Sequence, residues 1–365
     1  MAVRWKPPRT RTAVPTLLLI FVISYTWLYS YQLRNFFSYV SRPLWDQPDG
    51  PNNILPHYHA DGLLPDAKVC ALHGWEARST QPPVWDAVLF TTELDLLEIR
   101  WSELDSVVDK FFLLENNMTF TGRPKSQDFS LNSQRFARFK HKLVYGSLAG
   151  VIPPAAEPFE VEGNHRNEMT KLLRAHIPPS GDQPLVIFSD TDELPSAHTI
   201  QLLKSCHFPT PLHLRMRTYL YSFEWPYGDT SWRAQVHDWS KGLTLLWAWE
   251  EEQPCSRRRW LALLFLLPIS GRVRNQDAGY SHADRIGGVK RILDRKRIQR
   301  VICEGEDIYN MLPEAYTYRD FFALLWLEPS RSMVGIPRFL IENSSRFKFL
   351  LPGGCQREGR PDNME

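Results

Sequence analysis

The twelve residues LVIFSDTDELPS, 185–196, set the tightest limit on how this chain folds. Leu185 to Phe188 are apolar, and Asp190, Asp192 and Glu193 follow at once. Carboxylates repel one another, and burying them unpaired costs several kcal/mol. An apolar strand that exits into such a cluster expects something cationic at its end. Oxygen ligands from Asp190 and Asp192 suit a hard divalent cation, Mg²⁺ or Mn²⁺, able to bridge to a diphosphate. The structural alternative is an acidic helix cap, with Asp192 or Ser196 capping the next helix and Glu193 near its start.

The pattern around this strand is α/β. VWDAVLF (84–90) and VVDKFFLLE (107–115) read as strands, the second ending in Glu115. Between them, TELDLLEIRWSELD carries Leu94, Leu97 and Trp101 at helical spacing, with acids at its start. A turn follows at 121–124. NEMTKLLRAHI reads as a helix stopped by Pro178 and Pro179, and SAHTIQLLKSC as the helix after the 185–190 strand. PLHLRMRTYLYSFEW looks like one or two longer strands. Strands alternating with helices predict a mostly parallel sheet flanked by helices. Ligands of such sheets sit at the carboxyl ends of strands, where Glu115 and the Asp190 cluster both fall.

The chain has 365 residues, enough for one large domain or two small ones. Its net charge of +2 gives no general bias towards nucleic acid, and no nucleic-acid partner is expected. At the N-terminus, Arg4, Lys6, Arg9 and Arg11 precede an uncharged run from Thr12 to Leu33. A membrane helix needs about 20 apolar residues, and Trp27, Tyr29 and Tyr31 crowd the far end as an interfacial belt would. A cleaved signal peptide has a shorter apolar core and a small-residue end. The reading is therefore a cytosolic tail (1–12), a single transmembrane anchor (13–33), a Pro-, Asp-, Gly- and His-rich stem (34–83), a lumenal domain (84–355) and a tail (356–365). Asn117 and Asn343 lie in glycosylation sequons, as a lumenal domain allows.

ELDLLEIRWSELDSVVDKFFLLENNMTFTGRPK, FSDTDELPS, YLYSFEWP, SHADR and KRIQRVICEGEDIYNMLPEAYTY occur in this order. Together they strongly resemble glycosyltransferase family 17, whose transferases add the bisecting GlcNAc to N-glycans, over about residues 68–355. The resemblance implies a GT-A-like fold, UDP-GlcNAc as donor, a divalent metal and an inverting displacement. The family's D-x-D-E-[I/L]-P motif falls on Asp190, Asp192, Glu193 and Pro195, which carries metal and donor diphosphate binding onto the two aspartates. Glu115 stands where this type of fold places a residue near the nucleoside; its alternative is a solvated acid at a strand end. Arg166 is a candidate partner of the diphosphate, since a guanidinium matches phosphate oxygens as a fork, or else a surface arginine at a helix start. His282 is a further metal or donor contact, or a structural histidine. Inverting transfer also needs a base for the acceptor hydroxyl. Glu224 sits among aromatic residues, where a raised pKa is plausible, and Asp238 and Asp284 are its rivals.

One segment departs from the family pattern. Between Gly242 and Tyr280 the family carries G-W-H-C-S-x-C-F, which is missing here. Trp260 must be encoded by TGG, and codons can be chosen for Trp260 to Ile269 so that reading one nucleotide later gives Gly-Trp-His-Cys-Ser-Phe-Cys-Phe-Pro-Tyr. The expectation is a frameshift or mispredicted exon boundary over roughly 243–279. The run WLALLFLLP, with no clean helical or strand period and too short to span a bilayer, agrees. The alternative is a genuine buried helix or second membrane contact. Five cysteines are an odd set for a lumenal protein; replacing Cys255 by the two motif cysteines leaves six, beside Cys70, Cys206, Cys303 and Cys355. If the recorded segment is real, a misfolded or inactive variant is expected.

The sequence thus points to a Golgi-membrane, single-pass type II transferase of GlcNAc from UDP-GlcNAc to a mannose-containing glycan on a glycoprotein. Its rivals are another UDP-hexosyltransferase of the same fold and an inactive lumenal glycan-binding or scaffold protein.

Overall fold

The computed structural model describes residues 10–41, 44, 54–56, 65–118, 124–149, 158–178, 181–230, 234–239, 294–307 and 327–355. Segment 243–279, His282 and Asp284 lie outside them. The N-terminal apolar run is a bent pair of helices, α1 (Thr10–Leu28) and α2 (Ser30–Ser41), meeting at 74°. Among the described residues no single helix is long and apolar enough to cross a membrane; the pair passes by length and composition only. The single anchor helix expected over 13–33 is thus interrupted at Tyr29, where the run passes from Leu, Ile and Val to Tyr, Ser and Gln. Leu17 to Ile23 stand between 49% and 66% exposed on every side of α1, which suits an apolar surrounding.

After β1 (Ile54–Pro56), α3 (Ala67–Leu72) and β2 (Glu76–Ala77), the alternation predicted from the sequence begins. It runs β3 (Val84–Phe90), α4 (Leu94–Leu104), β4 (Lys110–Asn116), α5 (Asp128–Leu131), β5 (Leu143–Leu148), α6 (Pro158–Arg174), β6 (Leu185–Asp190), α7 (Ala197–Ser205) and β7 (Cys206–His207). Then come β8 (Leu212–Tyr219), β9 (Pro226–Thr230), β10 (Gln235–Asp238), α8 (Arg295–Glu304) and α9 (Arg338–Glu342). The main sheet has the order β1-β8-β10-β6-β3-β4-β5, with β9 paired to β8. Neighbours are parallel except where β10 and β9 enter antiparallel. The mostly parallel α/β sheet flanked by helices is as the sequence predicts, with β10 as the antiparallel insertion.

Alternation of side chains along each strand builds two cores. Val84, Val88, Phe111, Leu113, Leu185 and Ile187 face one way, onto Leu97 and Trp101 of α4 and Ile200 and Leu203 of α7. Trp101 anchors this side, stacked on Phe111 at 5.0 Å and meeting Phe129, Phe136 and Phe139 edge-on. Trp85, Ala87, Phe112, Val186 and Phe188 face the other way, onto Met169 and Leu173 of α6. Parts of the segment read as stem belong to this body. Residues 54–56 form an edge strand on β8, and Cys70 of α3 is disulfide-bonded to Cys206. A second disulfide joins Cys303 to Cys355. Disulfides of this kind belong to the secretory pathway.

Candidate active site at the strand ends

The carboxyl ends of β6, β3, β4 and β5 lie side by side. Leu89 is in register with Asp190, Phe90 with Glu115, and Asn116 with Leu148. A cleft opens over β3, β4 and β5, lined by Leu89, Phe90, Thr91, Leu114, Glu115, Asn116, Met118, Lys125, Leu148 and His165. The acidic turn sits one strand over, and Thr191 Oγ1 ties it to the cleft wall by donating to Leu89 O at 3.0 Å.

Helix capping falls to Ser196, not to Asp192. Ser196 Oγ accepts from Thr199 N at 3.1 Å and starts α7. Glu193 turns back, its Oε2 accepting from Asp190 N at 3.0 Å, and closes the turn by its own N–H to Asp190 O. Asp192 is half-buried and makes no ion pair among the described residues. Burial pushes its pKa well up, and the charges of Asp190, Glu193 and Glu93 push the same way. Glu93, absent from the sequence-derived candidates, accepts from Thr91 N and Thr92 N, and burial raises its pKa too.

Two buried arginines stand behind the turn. Arg166 of α6 is 1% exposed; it donates to Glu162 twice and to Asp190 Oδ1 at 3.1 Å, and lies over the Phe188 ring. It therefore orients Asp190. Arg100 of α4 pairs with Asp86 of β3, both fully buried. The like charges of Asp190, Glu193 and Glu93 bear on Asp192, and a cation would relieve that repulsion. Among the described residues no three His, Cys, Asp or Glu side chains are grouped to hold a metal alone. Two aspartates with the remaining ligands from diphosphate or water is the donor set Mg²⁺ takes at phosphate sites, so Asp190 and Asp192 fit a hard cation of this kind.

Glu115 is wholly buried, and both its oxygens are engaged. Phe129 N and Ser130 N at the start of α5 donate to them, as does Tyr145 Oη at 2.9 Å. It lines the cleft while pinning α5 and β5 to β4, so it is no solvated strand-end acid. Beside it, His165 Nε2 meets the Asn116 amide at 2.6 Å, and Lys125 Nζ donates to Thr91 O at 3.1 Å. Burial, helped by Lys125 and Arg166, lowers the His165 pKa to about 4. Asn116, Lys125 and His165 carry no signal in the sequence, where each stands in a polar stretch without a period.

The base candidates separate. Asp238 is in register with Leu185, the first residue of β6, roughly 17 Å along the strand from Asp190. There it is buried and bonded to Arg78 at 2.7 Å, so the structure does not bring it to the acidic turn. Glu224 lies at the right end. Gln235 faces both Phe188 and His213, which puts Arg215 level with Asp190 and Tyr219 four residues beyond. The turn after Tyr219 holds Glu224 half-buried, and Leu194 beyond the acidic turn packs in one cluster with Tyr219 and Phe223. Of the sequons, Asn117 follows the cleft-lining Asn116, and Asn343 caps α9, its Nδ2 donating to Phe339 O at 2.8 Å.

The sequence model of glycosyltransferase family 17 matches residues 9–358. The chain belongs to that family. Its curated relatives include the β-1,4-mannosyl-glycoprotein 4-β-N-acetylglucosaminyltransferases of Rattus norvegicus and Homo sapiens, each 29% identical over 146 residues. The Mus musculus enzyme is 28% identical over the same length. Each match covers 39% of this chain and 27% of the relative, so the chain spans about a quarter of the curated relatives it matches. No solved structure matches the family 17 chain.

Proposed function

We propose that this family 17 protein is an inverting glycosyltransferase of GT-A-like fold. In this reading it moves GlcNAc from UDP-GlcNAc to a hydroxyl of a mannose-containing N-glycan, in the Golgi lumen, held there by the N-terminal helices. The observation that carries the reading is the acidic turn at the exit of β6, set beside an open cleft, where the charges of Asp190, Glu193 and Glu93 bear on Asp192. A bound Mg²⁺ or Mn²⁺ would supply charge neutralisation for the departing diphosphate.

The chain's own residues divide the remaining work. Arg166 fixes the carboxylate of Asp190, leaving Asp192 as the less constrained of the two aspartates. Asn116, Lys125 and His165 offer the nucleoside a mixed set of donors and acceptors, with His165 neutral and Glu115 holding the cleft wall rigid. Glu224 is the candidate base, since it shares the sheet end with the turn and is carried on the overrunning β8–β9 hairpin. Proton removal of this kind is worth roughly 10²–10⁴-fold, so most of the rate enhancement falls to electrostatic stabilisation of the leaving group.

The test is release of UDP from UDP-GlcNAc by the full chain with Mn²⁺, with other UDP-sugars in parallel. Asp192→Asn should lower the rate by about 10²-fold or more, as loss of a charge-stabilising group does. A faster rate with another UDP-sugar would replace the donor, and a chain that binds neither UDP nor Mn²⁺ would be the scaffold of the rival reading.

A further inference from the structure

Asp86 interrupts the buried strand VWDAVLF, and Arg100 interrupts the buried face of α4. Two charges placed among apolar neighbours cost free energy, and a volume-matched apolar pair would often serve stability as well or better. Stability is therefore a weak reason for this pair. The guanidinium's other partners suggest a different one. Nε donates to Asp86 Oδ2 at 3.0 Å, and Nη2 to Asp86 Oδ1 at 2.6 Å and to Ser189 Oγ at 2.7 Å. Nη1 donates to Asp190 O at 3.1 Å and to Glu193 O. All five N–H groups are committed, and the two on Nη1 grip the carbonyls at either end of the 190–193 turn.

We propose that Arg100, held square by Asp86, is a positioning residue that clamps the backbone of the 190–193 turn and so presents Asp190 and Asp192 to the cation and diphosphate. The inference rests on the metal–diphosphate reading of that turn. The clamp acts through the backbone carbonyls of Asp190 and Glu193, not through the carboxylates. Arg166 fixes one of those carboxylates from the side; Arg100 fixes the loop that carries both. Lysine cannot replace it, because a single ammonium cannot hold a carboxylate and two carbonyls in one plane.

The experiment is a titration of the full chain with Mn²⁺, free ion being read by its paramagnetic resonance signal, with Asp192→Asn as reference. The paired replacement Asp86→Leu with Arg100→Met removes the clamp while leaving no buried charge; Arg100→Lys keeps the charge; Ser189→Ala removes one bond. The first two should weaken Mn²⁺ binding by about 10- to 100-fold, the scale of lost outer-shell support, and Ser189→Ala by a few-fold. The thermal midpoint establishes that each variant is folded. A folded paired replacement, or Ser189→Ala, that binds Mn²⁺ within about two-fold of the unaltered chain overturns the clamp. An unaltered chain that leaves all Mn²⁺ free instead removes the metal reading itself, and the two failures are distinct.

Discussion

His237 shows how a single buried side chain sets a pH limit on this fold. It is 4% exposed, and its Nε2 meets Gln235 Oε1 at 2.9 Å. Burial first, and His213 second, lower its pKa from 6.5 to about 4. The folded chain then keeps this imidazole neutral where the unfolded chain protonates it. Between pH 6.5 and 4 the unfolded state binds the extra proton, so stability rises with pH across that window. The contribution is complete above pH 6.5 and is lost as the pH falls towards 4, amounting to roughly 3 kcal/mol. Calorimetric midpoints should drop across this range, and His237→Gln should flatten the drop; an unchanged slope would clear His237 of the effect. His165 adds to it in the same direction. The single-residue chemistry was partly legible. Asp190 and Asp192 announce themselves as acids at a strand exit. Asp86 and Arg100 were equally visible, a charge inside an apolar strand and another on an apolar helix face, and such charges are seldom buried without a partner. Their pairing was hidden because it is made across 14 residues of chain and two elements.

At the scale of elements, β3, α4, β4, β6 and α7 follow directly from apolar period and end signals. β5 and β10 do not. Leu143 to Leu148 contains a glycine and half-exposed positions, and Gln235 to Asp238 is short and polar. Both are strands because the sheet supplies partners, so local pattern had little to report. α6 also begins earlier than expected, at Pro158. The end of α8 carries a sharper test. Gly305 terminates it at φ 67°, in the left-handed region, with the Trp225 ring 2.5 Å from where a Cβ would stand. Glu306 O, next in the chain, accepts from Tyr221 Oη at 2.8 Å. This glycine thus fastens α8 against the turn that holds Glu224. Gly305→Ala adds backbone strain of about 1–2 kcal/mol and forces the indole to move, for a total near 2–4 kcal/mol. Urea unfolding should show that loss as a lower midpoint at unchanged slope, and a variant as stable as the parent would mean that the cap does not hold this turn.

Across the whole molecule, covalent closure ties distant parts of the chain together. Cys70 and Cys206 are 136 residues apart, and Cys303 and Cys355 are 52 apart. In the chain-entropy account, crosslinks over such spans stabilise by roughly 4–5 kcal/mol each. The first bridge binds α3, from the segment read as stem, to the end of α7. The second closes the chain between α8 and the residues after α9; Leu340 of α9 and Phe347 and Leu350 beyond it pack on Leu96 and Ile99. These pairings use four of the five recorded cysteines and leave Cys255, inside segment 243–279, as the odd one. Parity then distinguishes the two readings of that segment. Translated as recorded, each chain has one cysteine that cannot pair internally, so it carries one reactive thiol or a bond to another chain. Translated in the shifted frame, Cys255 disappears and two cysteines replace it, giving either a third internal bridge or two thiols. Alkylation of the denatured, unreduced protein followed by mass measurement counts them. One label per chain, or a disulfide-linked dimer, would support the recorded frame and end the frameshift account. None or two would favour the shifted frame, and the genomic codons for Trp260 to Ile269 would have to agree.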